Sequence, residues 1–487
     1  MTVRGCLYGL IVVVVGLSLF SGAAVAEPFV DLNPDSLDGE GTTTSPYEIS
    51  NASELQAMGG NLSANYTLDG TIEAANTSAW NDGAGFEPIG NETDPFTGTF
   101  SGNEKTIQGL SINRTTDNPV GLFGATDGAL IERVGLVDVD IVGNASGGST
   151  IFVGGLVGNM SGDVTNTSIS GSVTGSDTVG GLVGNLNGTV TDSYATSSVD
   201  GGSRVGGLVG FNANDGDIRT SYAVGTVDDD GTATTAGGLV GDNRGSVENS
   251  YWDTESTNQT TSVAGTGLTT AEMSGNDATV NMDGFEFYDH WIPTSEDYPV
   301  LTWQFFAEST GGGDGSESNP FIVADEYGLQ AMSANLTASY ELSGDIDASD
   351  TDQWNDGDGF DSIGDDTDGF SGSFDGAGFS IEELTIDREN YVGLFGSIST
   401  DGSVSNITLV DATIITPGPD TLSAGDFVGS LSGSNDGTIS ESGATGSVRG
   451  TSQVGGLIGR NDGTVSQSYF EGSWIAVPYR DDFVAVS

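Results

Sequence analysis

The sequence has almost no cysteine, histidine or lysine, and each shortage excludes a class of site. Of its 487 residues, one is cysteine (Cys6), one is histidine (His290) and one is lysine (Lys105). A single cysteine cannot form an internal disulfide, and a single histidine cannot supply a zinc site built from several histidines. We therefore expect stability to come from packing and hydrogen bonding, and we interpret His290 as a packed or solvated residue of an aromatic segment.

Positive charge is also scarce, which limits the partners of this protein. Eleven Lys and Arg residues stand against 70 Asp and Glu residues, and the net charge is -59. Because nucleic acids need a basic surface and the sequence has no basic stripe, we expect no nucleic-acid partner. The 36% of hydrophobic residues argues against disorder. An acidic surface of this kind is screened in concentrated salt, so we expect an acidic, halophilic protein.

The N-terminal residues have the pattern of a secretory signal peptide. Arg4 precedes the apolar run from Leu7 to Phe20, and the small residues Ala24-Val25-Ala26 follow it. We expect residues 1–26 to be removed, whereas the alternative is a retained anchor, for which the apolar run is short. No second run of membrane length follows in the sequence. We therefore expect a secreted or cell-surface protein with no membrane span after cleavage.

In an exported chain, Asn-x-Ser/Thr sequons are candidates for glycosylation. The candidate residues are Asn51, Asn61, Asn65, Asn76, Asn91, Asn113, Asn144, Asn159, Asn166, Asn187, Asn258, Asn335 and Asn406. A chain this rich in Asn, Ser and Thr contains many such triplets by chance. The sequons therefore indicate a surface glycoprotein as a group, and none of them does so individually.

The chain contains a long tandem duplication. PYEISNASELQAM from Pro46 returns as PFIVADEYGLQAM from Pro320, and WNDGAGFEPIG from Trp80 returns as WNDGDGFDSIG from Trp354. We predict a first module at residues 38–306, a Gly/Ser/acidic linker at 307–319 and a second module at 320–487. The segment that closes the first copy has no counterpart in the second, so we expect the second module to be shortened at its C-terminus. Short capping helices are predicted at SELQAM, EYGLQAM and TTAEMS.

A shorter repeat lies inside the modules, at about residues 153–252 in the first. VGGLVG begins at Val153, Val179 and Val205, which gives about 26 residues per repeat. Glycine and β-branched residues dominate and no helical stripe exists, so we predict three short strands per repeat and a three-sided solenoid in which equivalent residues stack. We expect the glycines to supply positive φ at the corners. Tyr194, Tyr222, Tyr251 and Tyr469 should extend the stacking. The predicted inward-facing residues are Leu156, Val164, Val173, Leu182, Val190, Val199, Leu208, Ile218, Val227, Leu239, Val247, Leu457 and Val465.

The word G-G-L-[VI]-G, followed by N-x-G-x-[VI]-x-x-S-Y, resembles the GLUG motif of exported bacterial and haloarchaeal proteins, some of them adhesin-like. The segment from SYWDTESTNQ to YPVLTWQ is similar to the cap of such arrays in filamentous-haemagglutinin-like surface proteins. The resemblance implies an all-β, right-handed parallel β-helix at the cell surface and implies no catalytic residues. Some immunoglobulin A-cleaving metallopeptidases carry this repeat beside a zinc domain with H-E-x-x-H, a motif that this sequence lacks.

Acidic residues in the second module form a weak candidate calcium site. Asp356, Asp358, Asp365, Asp366 and Asp368 lie among glycines, and calcium uses oxygen ligands on flexible loops. The spacing is not that of an EF-hand, and the alternative is that these residues are a solvated acidic surface. We therefore expect no cofactor, and calcium is the one candidate that these residues leave open.

Three functions remain open after these exclusions. The first is an exported structural or adhesion protein without catalytic residues, which binds an unidentified glycan or protein ligand through its corner loops. The alternative is a polysaccharide-active β-helix enzyme, a lyase or hydrolase that uses surface carboxylates. The third is a stalk that binds no ligand.

Overall fold

The structure is a computed structural model that describes residues 34–115, 117–144, 150–228, 234–294, 297–308, 313–416 and 427–476. The predicted signal peptide at residues 1–26 lies outside the described residues. In the described part of the chain, strands dominate and most of them are short, as the glycine-rich, β-branched sequence predicts.

The strands of the first module follow one another along the chain. They are β1 Tyr47–Ile49, β2 Tyr66–Leu68, β3 Ile72–Glu73, β4 Thr99–Gln108, β5 Ser111–Arg114, β6 Phe123–Ala125, β7 Ala129–Gly143, β8 Phe152–Gly154, β9 Val157–Met160, β10 Gly162–Gly175, β11 Thr178–Gly180, β12 Val183–Leu186, β13 Thr189–Ala195, β14 Ser198–Asp200, β15 Arg204–Gly206, β16 Val209–Asn212, β17 Asp217–Arg219, β18 Tyr222–Ala223, β19 Val227–Asp228, β20 Thr235–Gly237, β21 Val240–Asn243, β22 Ser246–Glu248, β23 Tyr251–Asp253, β24 Thr266–Leu268, β25 Trp291–Ile292 and β26 Val300–Leu301.

The second module continues the same pattern of short strands. They are β27 Phe321–Val323, β28 Ser339–Leu342, β29 Ile346–Asp347, β30 Ser373–Asp375, β31 Ser380–Glu382, β32 Thr385–Asp387, β33 Tyr391–Val392, β34 Phe395–Ile398, β35 Ser403–Ser405, β36 Thr408–Ile415, β37 Phe427–Val428, β38 Ser432–Asn435, β39 Thr438–Ser440, β40 Gly443–Gly450, β41 Gln453–Val454, β42 Ile458–Asn461, β43 Thr464–Ser466 and β44 Tyr469–Ala476.

Helices are few and short. The α-helices are α1 Ala52–Ala57, α2 Gly275–Asn281, α3 Thr302–Glu308 and α4 Glu326–Ala331. The 3-10 helices are Pro34–Ser36, Met58–Gly60, Ala75–Ala79, Asn81–Gly83, Ala271–Met273, Met332–Ala334, Ser349–Gln353 and Asn355–Gly357. All three predicted capping segments contain helical turns. Within the described residues, no helix combines the length and the apolar character that crossing a membrane requires.

Successive repeats stack as parallel coils in register. One repeat contributes β11 to one sheet, β12 to a second, and β13 with β14 to a third, before β15 begins the next coil. Val179 pairs with Val153 on one side and Val205 on the other, as the repeat of VGGLVG predicts. The prediction of a parallel β-solenoid is confirmed, with about 12 turns in total. The strands of each coil form hydrogen bonds with the backbone N–H and C=O groups at the edge of the neighbouring coil.

The predicted inward-facing residues fill the interior, with exceptions at the ends. Residues from Leu156 to Leu239 in that set are at most 3% exposed. Val247 and Leu457 are partly buried. Val465 pairs with Ile439 of the preceding coil, but it is 38% exposed, so the prediction that Val465 faces inward was wrong. The reason is that β43 is the last strand of its sheet in the described part of the chain, so one side of this coil is uncovered.

The glycines of the repeated word serve close packing. The positive φ that we expected of glycines at corners occurs at Gly128 and Gly162 but not at Gly188. Gly180, Gly181 and Gly184 have φ outside the left-handed region. A Cβ on Gly180 would lie 2.0 Å from the carbonyl oxygen of Val183 and 2.6 Å from the amide nitrogen of Gly210 in the next coil. Four successive coils also have one polar residue each in the left-handed region, at Asn166, Asp192, Thr220 and Asn249.

The Ser-Tyr pair of each repeat forms two adjacent ladders. Ser193 Oγ accepts a hydrogen bond from the amide of Thr167 in the preceding coil and donates to the carbonyl oxygen of Thr191. Tyr194 and Tyr222 stack with ring centroids 4.9 Å apart, and Tyr251 continues the register. The expected extension to Tyr469 was wrong, because Tyr469 pairs with Gly443 and is 51% exposed.

The duplicated LQAM words cover the N-terminal end of each module. Asn51 caps α1 and Asp325 caps α4 through side-chain oxygens that accept backbone N–H groups. Gln56 donates to the carbonyl oxygen of Glu87 and accepts its amide, and Gln330 does the same with Asp361. The glutamine recurs because it ties each helix to the same loop of its own module.

Candidate functional site

The segment that closes the first module, residues 254–308 and called the closing segment below, folds back onto the outside of the solenoid. Its Trp291 is fully buried, with ring centroids 5.6 Å from Tyr222 and 4.7 Å from Phe285. These side chains belong to a hydrophobic cluster that is separate from the solenoid interior. The tyrosine ladder is therefore a docking surface for the closing segment.

Tyrosine hydroxyl groups fix the closing segment in position. Tyr222 donates to the carbonyl oxygen of Pro299 at 2.5 Å, and Tyr251 donates to that of Asp283 at 3.0 Å. Tyr194 donates to Gln304 Oε1, whose amide nitrogen donates to Ser168. Buried tyrosine hydroxyls need partners, so this pattern selects one position for the segment along the ladder.

Asp253 anchors the beginning of the closing segment. Its carboxylate accepts hydrogen bonds from the hydroxyls of Thr270 and Tyr298 at 2.6 and 2.5 Å, and from the amide of Glu255 at 2.7 Å. Burial alone would raise the pKa of Asp253, but these hydrogen bonds outweigh burial and hold the pKa below its ordinary value. The carboxylate therefore stays charged, which explains the aspartate in SYWDTES.

The two modules meet at the closing segment. Ile292, Phe305 and Phe306 pack into the hydrophobic core of the second module, and the Phe306 ring stacks on Phe321 at 4.8 Å. An open cleft of about 300 Å³ lies at this junction. Its lining residues are Glu104, Arg133, Asn166, Asp289, His290, Thr302, Trp303, Phe306, Phe321, Ala334 and Asn335. We call it the junction cleft.

His290 lies at this cleft among carboxylates, in a position that sequence reasoning did not predict. Its Nδ1 is 3.5 Å from Asp192 Oδ2 and 3.6 Å from Glu286 Oε2, and its side chain is 42% exposed. Ligand atoms of Glu286, Asp289 and His290 lie within 4.8 Å of one another, which no other group of three such residues achieves in the described part of the chain. Glu286 and Asp289 lie close to His290 in the sequence, so their spacing could have indicated this group. The contact with Asp192 could not be predicted, because Asp192 lies in a coil that is far away in sequence.

The predicted calcium residues are arranged differently. Asp365 closes a turn by accepting the amides of Thr367 and Asp368, at 2.7 and 2.9 Å. Asp365 and Asp366 line an open surface cleft that also contains Arg388, and Asp358 is exposed. The described ligand atoms of this acidic segment form no metal-binding group of three. Calcium binding stays a prediction, and the side chain of Asp356 lies outside the described residues.

The candidate sequons fall into two classes of exposure. The exposed asparagines are Asn51, Asn91, Asn113, Asn144, Asn187, Asn258 and Asn335, and the partly buried ones are Asn61, Asn65, Asn76, Asn159, Asn166 and Asn406. Among the partly buried ones, the Asn406 side-chain nitrogen donates to Asp375 at 2.9 Å. The exposed set is therefore the more accessible for modification.

Glu326 is the first residue of α4, at the N-terminal end of the second module, and its ionisation makes the stability of the protein depend on pH. Burial, followed by the nearby Asp325, Asp350 and Asp347 carboxylates, raises its pKa to about 7. The native state then holds a proton that the unfolded state releases near pH 4.5, so stability falls as pH rises from about 4.5 to 7. We expect Glu326→Gln to be more stable than wild type at pH 8, on the order of 2 kcal/mol, and to differ little at pH 4.

Chemical denaturation at both pH values measures this difference. The control is Glu317→Gln, which removes one charge from an exposed position of the linker that precedes the second module. A gain in Glu326→Gln that is the same at pH 4 and pH 8 would contradict a raised pKa.

Comparisons with known proteins agree with the repeat. Residues 201–228 match the family model of the GLUG motif. Over 150 residues, the chain is 41% identical to halomucin from Haloquadratum walsbyi, which covers 29% of this chain and 2% of halomucin. Over 134 residues, it is 34% identical to a protein of Evansella cellulosilytica named "Putative Gly-rich membrane protein", covering 27% of this chain and 15% of that protein.

Among solved structures, the chain is similar to one described as a "putative immunoglobulin A1 protease" from Bacteroides ovatus. The sequence identity is 19% and the TM-score is 0.43. The match covers 54% of this chain and 94% of the solved chain.

Proposed function

We propose that this chain, a GLUG-repeat β-solenoid, is an exported structural and adhesion module of a cell surface. The observation that supports this proposal most directly is that the residues that define the repeat have structural roles. Leu182, Val190 and Val199 fill the interior of one coil, and Gly180 allows the next coil to approach. A repeat of this kind specifies a rod, and the residues that are available for function then lie on its outer surface.

The similar proteins support a surface role. The two relatives are named "Halomucin" and "Putative Gly-rich membrane protein", and the chain spans only 2% and 15% of their lengths. The acidic surface, with a net charge of -59, suits display in concentrated salt, where charge repulsion is screened. The secretory signal predicted at residues 1–26 and the exposed sequons support an extracellular glycoprotein.

Binding residues of an adhesion module belong on the loops that differ between coils and at the junction cleft. The cleft joins apolar Trp303 and Phe306 to polar Arg133 and Glu104. Such a mixture of aromatic and charged groups suits a glycan or protein ligand. We expect no catalysis, because the recurring residues fill the interior of the coils or allow the coils to pack closely.

The proposal is tested in the native host by deleting the gene and restoring it. We expect the protein in the cell-surface fraction, with mature chains that begin at Glu27 by mass spectrometry. Deletion should reduce attachment or cell aggregation, and the restored gene should recover it.

A gene copy that lacks residues 1–26 is the control, because it makes the same module without export. Normal attachment in the deletion strain would contradict adhesion while leaving a structural role. Cleavage of a polysaccharide by the purified protein would contradict the proposal as a whole.

A further inference from the structure

We propose that Asp192, Glu286, Asp289 and His290 bind one divalent transition-metal ion, and that this ion fastens the closing segment to the solenoid. Three ligands come from one turn of the closing segment, and Asp192 comes from the coil beneath it. The interaction is independent of the proposed surface function.

The distances suit a shared ion. His290 Nδ1 lies 3.5 Å from Asp192 Oδ2 and 3.6 Å from Glu286 Oε2. An ion that binds each atom at about 2.0–2.2 Å separates its ligand atoms by roughly 3–3.5 Å. Ligand atoms of Glu286, Asp289 and His290 already lie within 4.8 Å of one another, and Asp192 contacts this group through His290. Glu286 and Asp289 must therefore rotate toward Asp192 for all four residues to bind one ion. Glu286 and Asp289 are exposed, so they are free to make that adjustment and the ion can enter from solvent.

Asp192 is the buried ligand of the site, and hydrogen bonds hold its side chain in place. The residue is 8% exposed, and its Oδ1 accepts hydrogen bonds from Thr220 at 2.6 Å and from the Trp291 indole at 3.3 Å. These two partners orient the other oxygen, Oδ2, toward His290. The equivalent residues of neighbouring coils are Asn166, Thr220 and Asn249, which share the left-handed backbone but carry no charge. The left-handed backbone therefore does not require a charged residue at this position, so the carboxylate of Asp192 needs another explanation.

The turn that carries the other three ligands is held in one conformation by backbone hydrogen bonds. The amides of Asp289, His290 and Trp291 all donate to the carbonyl oxygen of Glu286. Tyr288 has a φ of 65°, an unusual value for a tyrosine, and its amide donates to the carbonyl oxygen of Trp291. A preformed turn lowers the entropic cost of binding an ion.

The ligand chemistry selects the class of ion. One imidazole and three carboxylates suit zinc, cobalt, nickel or copper, whereas calcium and magnesium prefer sites made only of oxygen. The ion would also neutralise three carboxylates that repel one another. Binding therefore stabilises the attachment of the closing segment to the first module.

Copper(II) is the probe, because its electron paramagnetic resonance reports bound nitrogen. The full mature chain is prepared without a polyhistidine tag, so any imidazole signal comes from His290, the one histidine in the sequence. Measurements in about 2 M KCl suppress diffuse binding to the acidic surface. We expect one copper per chain, coupled to a single imidazole nitrogen, and a higher melting temperature of the closing segment with zinc.

Three variants and one control separate this site from surface binding. His290→Gln should abolish the nitrogen coupling, and Asp192→Asn should weaken binding by about 10- to 100-fold. Asp289→Asn changes an exposed residue and should weaken binding even if the buried Asp192→Asn variant fails to fold. The control, Asp365→Asn, removes a carboxylate of the predicted calcium segment and should bind normally. Copper binding without imidazole coupling, or unchanged affinity in Asp289→Asn and His290→Gln, would overturn the proposal.

Discussion

Replacing Trp291 with alanine is expected to release the closing segment while the coils of the first module stay folded. Trp291 is fully buried and packs against Tyr194, Tyr222 and Phe285. Removing a buried tryptophan costs about 3–5 kcal/mol, and here the indole hydrogen bond to Asp192 is lost as well. Because this cluster is separate from the solenoid interior, the loss falls on the attachment of the segment.

Denaturation and limited proteolysis measure this effect together. We expect a first unfolding transition at lower denaturant, and cleavage within residues 254–308 before any within the coils. The control is Trp474→Ala, since Trp474 is 56% exposed and its loss should change stability by less than about 0.5 kcal/mol. A single transition that moves for the whole protein would contradict independent release of the segment.

Gly180→Ala is expected to destabilise the solenoid itself by about 3 kcal/mol. The new Cβ would lie 2.0 Å from the carbonyl oxygen of Val183 and 2.6 Å from the amide of Gly210. Both contacts are with backbone, so no side-chain rotation relieves them and two coils must separate locally. The change should appear in the transition of the coils, measured by circular dichroism during chemical denaturation.

Gly59→Ala is the matched control, because no atom lies within 4 Å of the Cβ it would add. Gly59 also lies in the 3-10 helix Met58–Gly60, where alanine is well tolerated. We expect no loss of stability. Equal destabilisation by both substitutions would show that glycine acts through backbone freedom and not through close packing.

The periodicity of the sequence is sufficient to specify the coil. Large apolar residues recur at fixed spacing, and only an interior column uses such a repeat, so Leu156, Leu182 and Leu208 could be placed before the structure was known. The duplicated modules and their capping helices also follow from local signals: a capping residue precedes α1 and α4, and the same glutamine returns in each.

The positions of the segments outside the repeat depend on packing between distant elements. Val465 has the sequence of a core residue but lies in a coil covered on one side only, and burial depends on neighbours that a periodic pattern does not report. The tyrosine ladder becomes a docking surface only because the closing segment returns to it. That return brings His290 within 3.5 Å of Asp192, from a different coil and distant in sequence, and proximity of this kind is set by packing between elements.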